Sequence, residues 1–133
     1  MQFQIEVNKS SRFCQVRVVG RMDMSEYESA VEAFLDHPDV TPGMATVYDL
    51  REAEMSHLNA DDFRSMSFHN GKFASRRGRA RVAIVVADAV TFGLARMYEV
   101  LGATPNLETQ VFSDHAKAIQ WVQKPAVSGD DAT

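Results

Sequence analysis

Residues 81–87, RVAIVVA, are apolar after the first arginine and rich in β-branched side chains. The run is far too short to span a bilayer and lacks the alternation of a strand with one wet face. It predicts a strand covered on both faces. Asp88 can then cap a helix ending near Gly102. A further strand is expected at residues 108–112, and residues 114–122 form a short helix carrying the single tryptophan, Trp121. Strand–helix–strand–helix order of this kind belongs to the α/β class.

The preceding residues extend the same scheme. Residues 3–7 and 13–19 alternate apolar and polar side chains around a turn-forming stretch, Asn8 to Arg12, and predict a β-hairpin. On its second strand Cys14, Val16 and Val18 share a face, so Cys14 reads as a small buried hydrophobe. Ser25-Glu26-Tyr27-Glu28 matches a capping box, with Ser25 as the cap. The helix it opens carries Tyr27, Ala30, Val31, Phe34 and Leu35 on one stripe, and Pro38 stops it. Residues 45–50, ATVYDL, form a third strand. Asn59 can cap a helix over residues 60–75 with Phe63, Met66, Asn70 and Ala74 inward, and Asn70-Gly71 marks a point where it would break. The resulting order is ββαβαβαβα, a mixed sheet of about five strands with four helices. Residues 1–123 form the domain, and residues 124–133, with Pro125, Ser128 and Gly129, read as a disordered tail.

A chain of 133 residues can bury roughly 65–70% of the surface its unfolded form exposes, enough for a core without staples. One cysteine allows no internal disulfide, and no segment has signal-peptide or membrane-span length. The expectation is a soluble, cytoplasmic protein. A net charge of −4 speaks against nucleic acid as a partner. Lys72, Arg76, Arg77, Arg79 and Arg81 nevertheless form a run without an acid. It is either a solvated face or a patch for an anion.

In open α/β sheets ligands sit beyond the carboxyl ends of the parallel strands. The polar residues expected there are Asp49 and Arg51, Asp88, and Ser113 with Asp114. Asp88 and Ser113 or Asp114 have work as helix caps. Asp49 and Arg51 do not, and are equally suited to a ligand site or a mutual salt bridge. The four histidines lack metal-ligand spacing, and no P-loop or GxSxG elbow is present. No cofactor, metal or catalytic group is therefore assigned.

On the helix after Asp88 a wheel places Val90, Leu94, Met97 and Leu101 on the core stripe. Phe92 falls about 200° from Val90, on the side of Arg96 and Glu99. Phe68 lies about 140° from Phe63 on its own helix. These off-stripe aromatics suit a partner or homodimer surface.

The segments VRVVGRMDMSEY, VYDLRE, RARVAIVVADAVTFGLARMYE and QVFSDHAKAIQWV occur in an order that resembles the SpoIIAA-like proteins, small bacterial α/β domains related to the STAS fold. The resemblance runs from about Phe3 to Val122. It implies a mixed sheet with helices mainly on one side and an extra cover on the other, and no assigned activity for most members. STAS anti-sigma antagonists are switched by phosphorylation of a serine at a helix start, in an Asp-Ser motif. Here that loop reads REAEMSHLNADDF, where Ser56 follows Met55 and is off that spacing, so the switch is not expected. Some relatives are compared with CRAL-TRIO lipid carriers, but this chain is short for enclosing a lipid in a separate cavity.

Two functional expectations follow. One is a non-enzymatic STAS-like interaction or small-ligand-binding module, with a regulatory role or a homodimer through Phe68 or Phe92. The other is a binder of an anionic or acyl/lipid ligand, with Arg76 or Arg79 facing it and Arg96 assisting.

Overall fold

The computed structural model describes residues 1–102 and 104–124. The elements are β1 (Gln2–Asn8), β2 (Phe13–Arg21), α1 (Met24–Asp36), β3 (Ala45–Glu54), α2 (Ala60–Gly71), α3 (Ala74–Arg77), β4 (Ala80–Val85), α4 (Ala89–Leu101), β5 (Leu107–Phe112) and α5 (His115–Gln123). The five strands lie in sequential order, with β1 antiparallel to β2 and β2 to β5 mutually parallel. The helix expected over residues 60–75 divides at Asn70-Gly71, which raises the helix count to five. Of the tail expected over residues 124–133, Lys124 instead closes α5 through its N–H to the Trp121 carbonyl, and residues 125–133 lie outside the described residues.

Sequential strand order decides where the helices go. Parallel crossovers share one hand, so three of them between successive neighbours leave their helices on one face. Accordingly α1, α2 and α4 pack through Phe34, Phe63, Met66 and Ala95 over Val16, Val18, Leu50, Val82 and Ile84. After β5 no crossover remains, and α5 folds onto the opposite face. There Ala118 and Val122 cover Phe13, Val47, Ala83 and Val85. The RVAIVVA strand is therefore covered on both sides, by three helices on one face and one on the other.

Two local expectations are corrected. The first helix is capped by Asp23, whose side chain accepts from the Glu26 N–H, and Ser25 instead donates to Asp23 at 2.6 Å. The Ser25 hydroxyl and two backbone N–H groups hold the Asp23 carboxyl below its usual pKa. On α4 the inward face is Leu94, Ala95, Tyr98 and Leu101, with Phe92 packed at its flank, while Val90 is 67% exposed and Met97 38%. The wheel is turned because Ala95, 1% exposed, lets the helix approach closely where valine or methionine would hold it off. Asp88 does cap α4, accepting from the Thr91 N–H at 2.8 Å. Asp114 caps α5 through the Lys117 N–H at 3.0 Å. No helix among the described residues is long and apolar enough to cross a membrane.

Candidate functional site

The sheet and its three crossover helices do not close completely on one another. Between them lies a cavity of about 110 Å³. Its floor is Val16, Tyr48, Val82 and Ile84, and its roof comes from Ala30, Val31 and Phe34 of α1, Phe63 and Met66 of α2, and Ala95 of α4. The lining is almost wholly aliphatic and aromatic, which suits an apolar guest more than water.

A polar seam crosses this apolar space. The Tyr27 hydroxyl donates to the Asn70 carboxamide oxygen at 3.0 Å, and the Asn70 amide donates to the Tyr98 hydroxyl at 3.2 Å. Three helices meet in that chain. Burial pushes the Tyr27 and Tyr98 phenols above their ordinary pKa, so both remain neutral hydrogen-bonding groups at physiological pH. Tyr48, on the floor, is raised for the same reason.

Arg77 forms a second polar wall. It ends α3, where Gly78 turns the chain with φ of 72° and donates its N–H to the Ala74 carbonyl. The turn folds the arginine back into the protein, where it is 8% exposed. Its guanidinium donates to the Met44 carbonyl at 2.8 Å and to the Thr46 hydroxyl at 2.6 Å, and lies 5.2 Å from the centre of the Phe34 ring. Thr46 also touches Cys14, whose Sγ is 3.4 Å from the threonine hydroxyl. Burial raises the Cys14 thiol pKa, so the cysteine packs as an inert hydrophobe.

The residues singled out from sequence are scattered by the fold. Asp49 and Arg51 form a two-pronged ion pair, with Nε to Oδ1 at 2.9 Å and an Nη to Oδ2 at 2.8 Å. β3 carries an extra residue there, since Arg17 opposes Asp49 and Val19 opposes Glu52. Asp49 stabilises the irregularity by accepting from the Arg51 N–H at 3.2 Å. These hydrogen bonds lower the Asp49 pKa and raise that of Arg51. Arg17 reaches across to Glu52. Asp49 shares the α5 side of the sheet with Val47, so it faces away from the cavity.

The basic run is likewise divided. Arg76 is exposed and bound to Asp36 at 2.8 Å; Arg79 is exposed. Arg81 lies over the Trp121 ring and pairs with Glu108 at 3.1 Å. Lys72 stands 5.0 Å over the Phe68 ring, and Arg96 pairs with Glu99 on the surface of α4. Phe68 is 73% exposed, whereas Phe92 is half-buried against the core. The inward member of the run is Arg77. It faces inward from the short helix α3, a feature that charge alone does not reveal. Tyr27 and Asn70 carried a clearer sign, as polar groups on otherwise apolar helical stripes. Ser56 lies in the exposed turn before α2, and the helix start itself is closed by a reciprocal Asn59–Asp62 capping box. No group of three or more histidine, cysteine, aspartate or glutamate side chains suited to a metal occurs among the described residues.

Comparisons with known proteins agree with this architecture. A crystal structure of an uncharacterised DUF3478-family protein with a SpoIIAA-like fold, from Shewanella loihica, superposes with a TM-score of 0.56. The two share 20% sequence identity over 91% of this chain and 92% of the other. At that identity the likeness speaks to the fold alone. No curated protein matches the chain. The family model described as SpoIIAA-like matches residues 13–123, from the start of β2 to the end of α5. The chain belongs to the SpoIIAA-like family.

Proposed function

We propose that the protein is a non-enzymatic small-ligand-binding module, and that the cavity under α1, α2 and α4 is its binding site. The observation that carries this reading is an apolar space of about 110 Å³ crossed by a satisfied Tyr27–Asn70–Tyr98 seam. Ligand sites are typically apolar enclosures with a few fixed polar groups that set orientation. Apolar cavities of about 150 Å³ in protein cores stay dry and admit a molecule the size of benzene. At about 110 Å³ this cavity is smaller, so the guest proposed is a compact molecule and not a long-chain lipid.

The test is calorimetric and thermal titration with benzene and hexan-1-ol. A guest at a hundredfold excess over its Kd stabilises the folded state by about 2.7 kcal/mol. Ala30→Phe, which places a ring in the cavity, should abolish that gain while leaving the protein folded. If neither compound moves the melting temperature of the parent protein, the cavity is not a binding site.

A second reading rests on α4. Val90, Met97 and Val100 are 67%, 38% and 76% exposed and recur at helical spacing on its outer side, a pattern that suits a homodimer contact. Sedimentation across a concentration series tests it, with Val100→Glu abolishing any association observed. A parent protein that stays monomeric at high concentration rules it out.

A further inference from the structure

We infer that the cavity selects a small apolar molecule bearing one carboxylate, held between the Arg77 guanidinium and the Tyr48 hydroxyl. The inference deepens the ligand-binding reading and rests on it. Its starting point is a charge without a counter-charge. Arg77 lines the cavity and is 8% exposed, yet among the described residues no carboxylate lies within ion-pair distance of it. A buried cation loses most of its hydration, and proteins ordinarily repay that loss with a paired anion. Here the neighbours are a carbonyl, a hydroxyl and the face of Phe34.

The donor inventory points the same way. Arginine has five N–H donors in a planar fork. The Met44 carbonyl and the Thr46 hydroxyl engage two of them. Three N–H groups remain, donors of the kind that bind a carboxylate. Structural support for β3 explains the two bonds made, but a neutral donor such as glutamine could make them. It does not explain why the group is permanently charged.

Tyr48 supplies the second contact. It stands two residues beyond Thr46 on the same face of β3 and lines the cavity floor. Unlike Tyr27 and Tyr98, its hydroxyl makes no hydrogen bond among the described residues. Arg77 bonds Thr46, the neighbour of Tyr48 on that face, and both Arg77 and Tyr48 line the cavity. Tyr48 stays protonated because burial raises its pKa, which leaves it an O–H donor suited to a carboxylate oxygen. Arg77 and Leu35 also border a second recess, of about 240 Å³, with Val40, Thr41, Pro42 and Arg76. The carboxylate would sit inside the main cavity, where Arg77 and Tyr48 both line the wall, with the apolar body of the ligand against Val82, Ile84 and Ala95.

The experiment compares hexanoate, hexan-1-ol and hexylamine by isothermal titration on the parent protein, Arg77→Lys, Arg77→Gln and Tyr48→Phe. Hexanoate should bind the parent at least tenfold more tightly than hexan-1-ol, and hexylamine more weakly than either. Arg77→Gln should erase the preference for hexanoate, Arg77→Lys should keep part of it, and Tyr48→Phe should weaken hexanoate severalfold with hexan-1-ol unchanged. Should the arginine variants fail to fold, the ligand series on the parent and on Tyr48→Phe still decides. Equal binding of alcohol and carboxylate overturns this inference and leaves the cavity reading standing. Binding of none of the three overturns this inference, and with benzene also inert it overturns both.

Discussion

The Tyr27 hydroxyl of α1 donates to the Asn70 carboxamide oxygen of α2 at 3.0 Å, and this bond ties the first crossover of the sheet to the second. Asn70 continues the chain to Tyr98 of α4. Replacing Asn70 by leucine leaves two phenols without their partner beside an apolar cavity. Each orphaned hydroxyl costs about 1–3 kcal/mol, so Asn70→Leu should be strongly destabilised in urea unfolding. Adding Tyr27→Phe and Tyr98→Phe should recover much of the loss, because the group left unsatisfied is then gone. A triple variant no more stable than Asn70→Leu would show that the seam acts by packing alone.

One substitution should have opposite signs at two glycines. At Gly78 the φ is 72°, and an added Cβ would lie 2.9 Å from the Gly43 backbone nitrogen. Neither backbone can yield cheaply, so Gly78→Ala should destabilise by more than about 1 kcal/mol and displace Arg77. Gly93 lies within α4, and its Cβ would meet nothing within 4 Å. Gly93→Ala should stabilise by about 0.5–1 kcal/mol through helix propensity alone. Denaturant midpoints of the two variants give the answer directly.

The Asp49–Arg51 pair makes a pH prediction. The folded state lowers the Asp49 pKa through the Arg51 hydrogen bonds, so it favours the deprotonated acid more than the unfolded chain does. The stabilisation is fully present above the unfolded value of about 3.9 and fades as pH falls through the lower folded value. Melting curves of the parent and Asp49→Asn should therefore be furthest apart near neutrality and converge in acid. A gap that stays constant down to pH 3 would remove Asp49 as the titrating group.

Helix charge offers a smaller test. Arg76 pairs with Asp36 and also donates to the Leu35 carbonyl in the last turn of α1. Both side chains of the pair are more than half exposed, so the ion pair itself contributes little. Arg76→Ala should lower stability by less than about 1 kcal/mol, with most of the effect lost at high salt. A larger loss would mean that Arg76 holds the recess beside Arg77 in shape.

The elements of the fold were largely legible, because strands such as RVAIVVA and caps such as Asp88 and Asn59 are local signals. The break at Asn70-Gly71 was legible for the same reason. The orientation of α4 was not. A wheel weighted toward Val90 and Met97 ignores that Ala95 permits close approach and that Tyr98 turns inward to meet Asn70. The cap at Asp23 was hidden by the stronger-looking Ser25 pattern two residues on. The cavity could not be read at all, since it is the volume that side chains from nine elements fail to fill. Arg77 was visible as one charge among five, and its place on the inward side of the short helix α3 separates it from Arg76.

Strand order has a consequence for synthesis. Each strand is laid beside its immediate predecessor, so the sheet can assemble in the order in which the ribosome delivers it, with short loop closures at each step. The exception is the face that α5 covers. Val47, Ala83 and Val85 are in place before Ala118 and Val122 reach them. A nascent or C-terminally clipped chain thus presents a sticky hydrophobic strip that the finished protein hides, and α5 is the latch that ends this vulnerable interval.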